Sequence, residues 1–263
     1  MNRESTNMGV SRPTMGTRIP YRTGATTRPR QKATSWGQRS VRAARRALYL
    51  RFGKRALDTL GAFVGLVITS PILFLCGVAI WLDSRGPIFY RQKRVGQHGR
   101  PFEIIKLRTM ITGADQQGSK LTASGDRRIT RVGSFLRKTK LDEIPQLLNV
   151  LRGEMSFVGP RPEVPEYTAK YASDERRVLD VKPGITGPAS LAYIDEERLL
   201  ASCVDKESFY VNTVMRRKLQ VDLAYCGKVS LLEDLGIILL TVAAILFSRA
   251  PATKKFDTTP EHS

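Results

Sequence analysis

Histidine is nearly missing from this chain. It has two, His98 and His262, and the second falls in a polar C-terminal tail. Cysteine is scarce too: Cys76, Cys203 and Cys226 lie too far apart for a zinc or redox motif. Neither a histidine-based triad nor a histidine-rich metal centre finds support in this inventory. An odd cysteine count, with one residue inside an apolar run, gives no sign of disulfides, so the working part is expected to face a reducing compartment. Acids are also short, at 24 Asp and Glu against 43 Lys and Arg, for a net charge of +19. A balance this basic points to an anionic partner, nucleic acid or a lipid surface.

The excess is unevenly placed. Residues 1–46 hold eleven Arg and Lys against Glu4 alone, in a setting of Thr, Gly, Ser and Pro with few large apolar side chains. Such a segment cannot bury enough surface to offset the entropy of ordering, and a disordered basic arm is expected there. A basic, partly helical approach is expected over residues 42–55, and from Thr59 to Leu82 there are 24 residues without a charge. As a helix these would reach about 36 Å, against roughly 30 Å of hydrocarbon in a bilayer. The run starts too late and is too long to read as a signal peptide.

A single spanning helix is the simplest reading of that length. Two features favour a helix that breaks and re-enters the same leaflet. Ser70-Pro71 sits in the middle of the run, where proline removes a backbone hydrogen bond. Both flanks are also basic, with Arg42, Arg45, Arg46, Arg51, Lys54 and Arg55 before and Arg85, Arg91, Lys93, Arg94 and Arg100 after, whereas a spanning helix usually shows an asymmetry of Lys and Arg.

Beyond it, IFYRQKRVG and PFEIIKLRTM alternate partially around a Gly-containing turn and predict a β-hairpin. Residues 112–130 are polar and expected to be a loop, and residues 131–140 a short helix. Asp142 is placed as the N-cap of the helix EIPQLLNVL, with Pro145 in its first turn. Met155 to Val158 predicts a short strand ending in Gly159-Pro160-Arg161-Pro162. Residues 163–180 are expected to be helical, Lys182 to Gly187 a turn-rich loop, and 195–220 a helix with a charged face. The last apolar stretch, Leu235 to Ser248, is short for a span and suits a buried or interfacial helix. The expected division is thus a basic arm (1–46), a juxtamembrane and membrane segment (47–82), a catalytic domain (83–230), an interfacial helix (231–248) and a polar tail (249–263), in an α+β, mainly helical fold.

The best chemical centre in this sequence is Asp142-Glu143, between the basic run Arg137-Lys138-Thr139-Lys140 and the proline-bracketed Arg161. An N-cap aspartate feels the positive end of the helix dipole, and Arg137 and Lys140 would hold it ionised if close in space. An ionised carboxylate can attack phosphorus or hold a divalent cation. Arg161 is set to grip a phosphate, Lys106 and Arg108 alternate on one strand face as further cations, and the turn after Lys182 offers backbone N–H groups. Each of these features also has a plain structural reading as a cap, a surface turn or a solvated edge strand.

The motifs KRALDTLGA, GPIFYRQKRVG, FEIIKLRTM, LRKTKLDEIPQLLNVLRGEMSFVGPRPE and VKPGITGPASL, with TSP inside the apolar run, cover most of residues 54–191. Through them the chain resembles the bacterial sugar transferases, the single-domain phosphoglycosyl transferases that act on polyprenyl phosphate. The resemblance implies a monotopic enzyme of the bacterial cytoplasmic membrane, facing the cytoplasm, with its break at Ser70 and Pro71. It also implies Mg²⁺, a nucleotide-sugar donor (UDP-linked) and undecaprenyl phosphate as acceptor, on a surface of anionic lipid and with no nucleic acid. By the same resemblance Asp142 is the nucleophile and Glu143 its partner as base or metal neighbour. Arg137, Arg161 and Lys106 match phosphate-binding positions, and Arg55 and Asp58 the start of the re-entrant helix. Two rival readings remain at this point: a membrane-anchored binding protein working through its arm, and a membrane phosphohydrolase using the same carboxylates.

Overall fold

The computed structural model describes residues 47–114, 121–122, 125–201 and 203–247. The expectations for the basic arm and the polar tail lie outside them. A π-helical turn, Tyr49–Gly53, leads into one long helix, α1 (Lys54–Asp83), with Pro71 inside it. Proline has no N–H for the carbonyl of Val67 four residues earlier. The hydroxyl of Ser70 donates to that same carbonyl at 2.9 Å, and the helix runs through Pro71 without the break expected at Ser70-Pro71.

One face of α1 packs on the rest of the protein at both ends. Near its start Gly61 abuts Phe157, and Ala62 joins Ile104, Leu147, Val150 and Met155 in one apolar cluster. Buried Asp58 accepts from the Phe157 N–H at 3.1 Å. Near its end Cys76 and Ile80 pack with Leu107 and Leu136. The other face leaves Leu60, Phe63, Ile68, Phe74, Leu75 and Leu82 exposed. An apolar surface of that size on a single helix needs lipid or a partner to cover it.

The predicted hairpin is present. β1 (Phe89–Val95) pairs antiparallel with β2 (Pro101–Leu107), with Phe89 opposite Leu107 and Val95 opposite Pro101. Next come α2 (Arg131–Thr139), a 3₁₀ turn (Leu141–Glu143) and α3 (Gln146–Arg152). Thr130 caps α2 by accepting from Gly133 N. Gly133 itself allows close approach, since a Cβ there would lie 2.0 Å from the Thr109 carbonyl oxygen. Fully buried Asn149 fastens α3 along β2: its amide donates to Glu103 O at 2.7 Å and its oxygen accepts from Ile105 N at 3.0 Å. That clamp sets α3, and the turn before it, beside Lys106.

β3 (Ser156–Val158) is the short strand expected, and its partner corrects one reading. The segment read as a phosphate-accessible loop holds β4 (Gly184–Thr186), parallel to β3. Gly184 N donates to Pro160 O, and Thr186 O accepts from Gly159 N, both at 2.9 Å, so the segment is tied to the β3 end rather than open as a loop. The glycines serve backbone contact: a Cβ on Gly184 would meet Gly159 N at 2.1 Å.

Two long helices expected from the sequence are broken up. Residues 163–180 form α4 (Pro165–Thr168) and a 3₁₀ turn (Glu175–Asp180), because the Glu175 carboxylate draws in Ala172 N and starts a new turn. After α5 (Pro188–Ala192), residues 195–220 divide into α6 (Glu196–Ala201), α7 (Lys206–Phe209), a π turn (Tyr210–Val214) and α8 (Met215–Cys226). Asp205 caps α7 through Ser208 N, which marks a fresh start rather than a continuation. α9 (Leu231–Phe247) ends the described chain and exposes Leu232, Leu235, Leu239, Leu246 and Phe247. The fold is α+β, mainly helical, with a few short strands and, among the described residues, one helix long and apolar enough to cross a membrane.

Candidate functional site

Asp142 and Glu143 lie in the 3₁₀ turn between α2 and α3, and this corrects the expected cap. Asp142 is not the N-cap of a helix; Pro145 holds that position for α3. Lys140, left-handed at φ 59°, ends α2 and reverses the chain. Pro145 has no N–H to extend the α ladder backward, so the turn closes with i to i+3 bonds, Glu143 N to Lys140 O and Ile144 N to Leu141 O.

The two carboxylates have opposite surroundings. Glu143 Oε1 accepts from Lys106 Nζ at 2.8 Å and from Arg161 Nη2 at 2.7 Å. Asp142 is buried, and among the described residues no donor hydrogen-bonds its carboxylate and no cation lies within ion-pair distance. Burial works against the Glu143 charge, yet Arg161 and Lys106 outweigh it and hold this carboxyl well below the usual range. Burial pushes the Asp142 carboxyl up; Lys106 opposes and the Glu143 charge adds to the rise. This reverses the expectation of a depressed Asp142, because desolvation exceeds what Lys140 and Arg137 supply. The site thus holds one carboxylate locked between cations and one available to an incoming group.

Four predicted residues come together here: Asp142, Glu143, Lys106 and Arg161. Arg137 is within electrostatic range of Asp142 but spends its guanidinium on Glu197 of α6, at 2.5 Å, and on Thr109. Arg108 is not brought to the carboxylates. It is buried just past β2 and donates to Ser84 O, Arg85 O and Thr112, bracing the exit from α1. Arg55 donates to Val150 O (2.6 Å) and Leu151 O (2.8 Å), covering the carbonyl end of α3, while Asp58 holds β3. Lys182 lies within electrostatic range of Arg55 and Asp58.

Behind Arg161 sits a charged cluster that the sequence reading missed. Glu163 accepts from the Tyr210 hydroxyl, and Lys218 donates to Glu196 at 2.7 Å. Lys218, read as part of a charged helix face, is buried, and so is Asp222. The one local signal was Glu163, directly after Gly-Pro-Arg-Pro; nothing near Lys218 marks it as internal.

Among the described residues no three His, Cys, Asp or Glu side chains gather as a metal cage. Mg²⁺ commonly needs only one or two carboxylates when substrate phosphates complete its shell, and Asp142, which no described residue hydrogen-bonds, beside Glu143 fits that donor set.

An exposed apolar helix beside a cation-framed carboxylate pair suits an enzyme of phosphate chemistry at a membrane surface. The family model of the bacterial sugar transferases matches residues 49–248, and the chain belongs to that family, as an enzyme of the phosphoglycosyl transferase class. It is 40% identical over 204 residues to a UDP-glucose:undecaprenyl-phosphate glucose-1-phosphate transferase of Caulobacter vibrioides, covering 73% of this chain and 69% of that protein. It is 34% identical over 200 residues to a UDP-N-acetylgalactosamine-undecaprenyl-phosphate N-acetylgalactosaminephosphotransferase of Aeromonas hydrophila, covering 74% of this chain and 44% of the relative. With an undecaprenyl-phosphate glucose phosphotransferase of Komagataeibacter xylinus it shares 38% over 207 residues, 74% of this chain and 36% of the relative. The matched part is thus less than half of the latter two proteins.

Proposed function

We propose that this enzyme transfers a sugar 1-phosphate from a UDP-sugar to undecaprenyl phosphate through a covalent intermediate on Asp142. The observation that carries the reading is the division of labour in the carboxylate pair: Glu143 is held by Lys106 and Arg161, and no described residue hydrogen-bonds the Asp142 carboxylate. The names of the relatives supply the donor and acceptor classes.

In this mechanism an ionised Asp142 oxygen attacks the sugar-side phosphorus of the donor. The bond from that phosphorus to the bridging oxygen breaks, and UMP leaves with the electron pair. A phosphate oxygen of the acceptor lipid then attacks the same phosphorus and frees the Asp142 carboxylate, giving a polyprenyl-diphosphate sugar. Arg161, Lys106 and Arg137 are the cations that meet the diphosphate charge. Bound Mg²⁺, held by Asp142 or Glu143 with donor phosphate oxygens, would supply further neutralisation of that charge. UMP release from a panel of UDP-sugars, with Mg²⁺ and with or without undecaprenyl phosphate, tests the reading. Lipid-dependent release by one donor is expected; release that ignores the lipid would favour a phosphohydrolase.

The same proposal places α1 as a re-entrant helix in the cytoplasmic membrane, with the catalytic part on the cytoplasmic side. Support comes from packing. Residues 58–62 and residues 76–83 both rest on one folded body, through Phe157 at one end and through Leu107 and Val132 at the other. A straight 30-residue helix measures about 45 Å, too long for both ends to contact that body across a bilayer. The basic flanks favour the cytoplasmic side for both ends. In a background without native cysteines, Leu48→Cys and Arg85→Cys are expected to react from the same side of sealed vesicles. Labelling from opposite sides would overturn the re-entrant topology.

A further inference from the structure

The Arg137–Glu197 pair puts an internal anion on a cation proposed to bind the donor. Glu197 follows Asp195 and Glu196 at the start of α6, and its side chain is 47% exposed, against 22% for Arg137. The helix that carries it is well anchored. Leu200 is buried in the main core, and Glu196 is paired with buried Lys218. Exchange at Arg137 therefore requires only rotation of the Glu197 side chain, not movement of α6.

We infer that Glu197 is a displaceable counter-ion, which occupies Arg137 in the donor-free enzyme and yields it to a phosphate oxygen of the donor. This rests on the reading above that Arg137 meets the donor diphosphate. A carboxylate and a phosphate oxygen make the same charge-assisted bonds to a guanidinium, so the two compete for one group. Glu197 in this role sets donor affinity, and with it the donor concentration at which the enzyme half-saturates. Its charge also keeps Arg137 from attracting other phosphates when no donor is present.

The test is titration calorimetry of UDP, which carries the diphosphate common to UDP-sugars, on the full chain in detergent with Mg²⁺. Glu197→Gln is expected to lower the UDP Kd by about two- to fivefold, the fold equivalent of a partly exposed ion pair. Arg137→Ala is expected to raise the Kd by about tenfold, in line with loss of one charged hydrogen-bonding partner. In the double variant the gain from Glu197→Gln should vanish, since its target is gone. Glu197→Ala, with its melting temperature recorded, repeats the measurement should the glutamine variant fold poorly. If Arg137→Ala weakens UDP binding but neither Glu197 variant tightens it, the counter-ion role is overturned and the phosphate role of Arg137 stands. If Arg137→Ala leaves UDP binding unchanged, the reading of Arg137 fails, and the inference fails with it.

Discussion

Asp142→Asn is expected to abolish both lipid-dependent turnover, by about 10³-fold or more, and the single equivalent of UMP per enzyme that the covalent step releases without the acceptor lipid. The amide keeps the size of the side chain, but its oxygen is a poor nucleophile and carries no charge to offer phosphorus. Loss of both activities together is the informative part. A residue that only helped the lipid attack would leave donor cleavage intact, whereas a nucleophile is needed before the lipid enters. Stability should not fall with activity, because the substitution removes a buried acid that no described residue hydrogen-bonds. A folded variant that keeps wild-type release would remove Asp142 from the mechanism.

The pH profile adds an independent check with a definite sign. Asp142 attacks as the carboxylate, so the rate falls as pH drops through its pKa. Burial has raised that pKa above the ordinary aspartate value of 3.8, and the acid limb should therefore lie above it. Glu143 stays ionised well below that limb, held by Arg161 and Lys106. Glu143→Gln removes a neighbouring negative charge and leaves Lys106 and Arg161 uncompensated; both changes favour ionised Asp142. The limb should then move to lower pH in whatever activity remains.

The largest expected loss of stability is at Asp234, in the first turn of α9. Its carboxylate is buried and accepts from the Tyr49 hydroxyl (2.7 Å), the Tyr225 hydroxyl (2.6 Å) and the ammonium of Lys54. These come from the approach to α1, from α8 and from the start of α1, so one acid ties three elements on the apolar side of the protein. Asp234→Ala strands a largely buried ammonium and two hydroxyls, at a cost of about 3–5 kcal/mol. Asp234→Asn retains an acceptor oxygen and should lose less. The Arg91–Glu103 pair is the contrast, at 63% and 54% exposed, where Glu103→Ala should cost below about 1 kcal/mol. Denaturant melts in one detergent would compare the three variants. Equal losses at Asp234 and Glu103 would show that the buried cluster does not hold α9 in place.

Much of this molecule was legible without coordinates. The 24 uncharged residues, the alternation of the hairpin, the strand before Gly-Pro-Arg-Pro and the Asp-Glu pair are patterns among neighbours, and α1, β1, β2 and β3 lie where those patterns put them. Such features follow from chain geometry and local burial, which a short window contains. Helix interruptions were less legible, because the Glu175 and Asp205 carboxylates that start new turns look like ordinary surface acids.

The state of the site was decided elsewhere. Lys106 is 37 positions from Glu143, Arg161 is 18 positions from it, and Glu197 is 60 positions from Arg137. Which cation meets which acid, that Arg108 braces α1, and that Lys218 is internal all depend on how β2, α6 and α8 close around the turn at Asp142. The helix-dipole argument weighed only adjacent residues and so missed desolvation, which burial by distant segments creates and which sets the direction at Asp142. By itself the sequence determined the residues available for chemistry and the apolar helix beside them. Tertiary structure alone decided which carboxylate is left open, because that follows from charges and burial brought together across the chain.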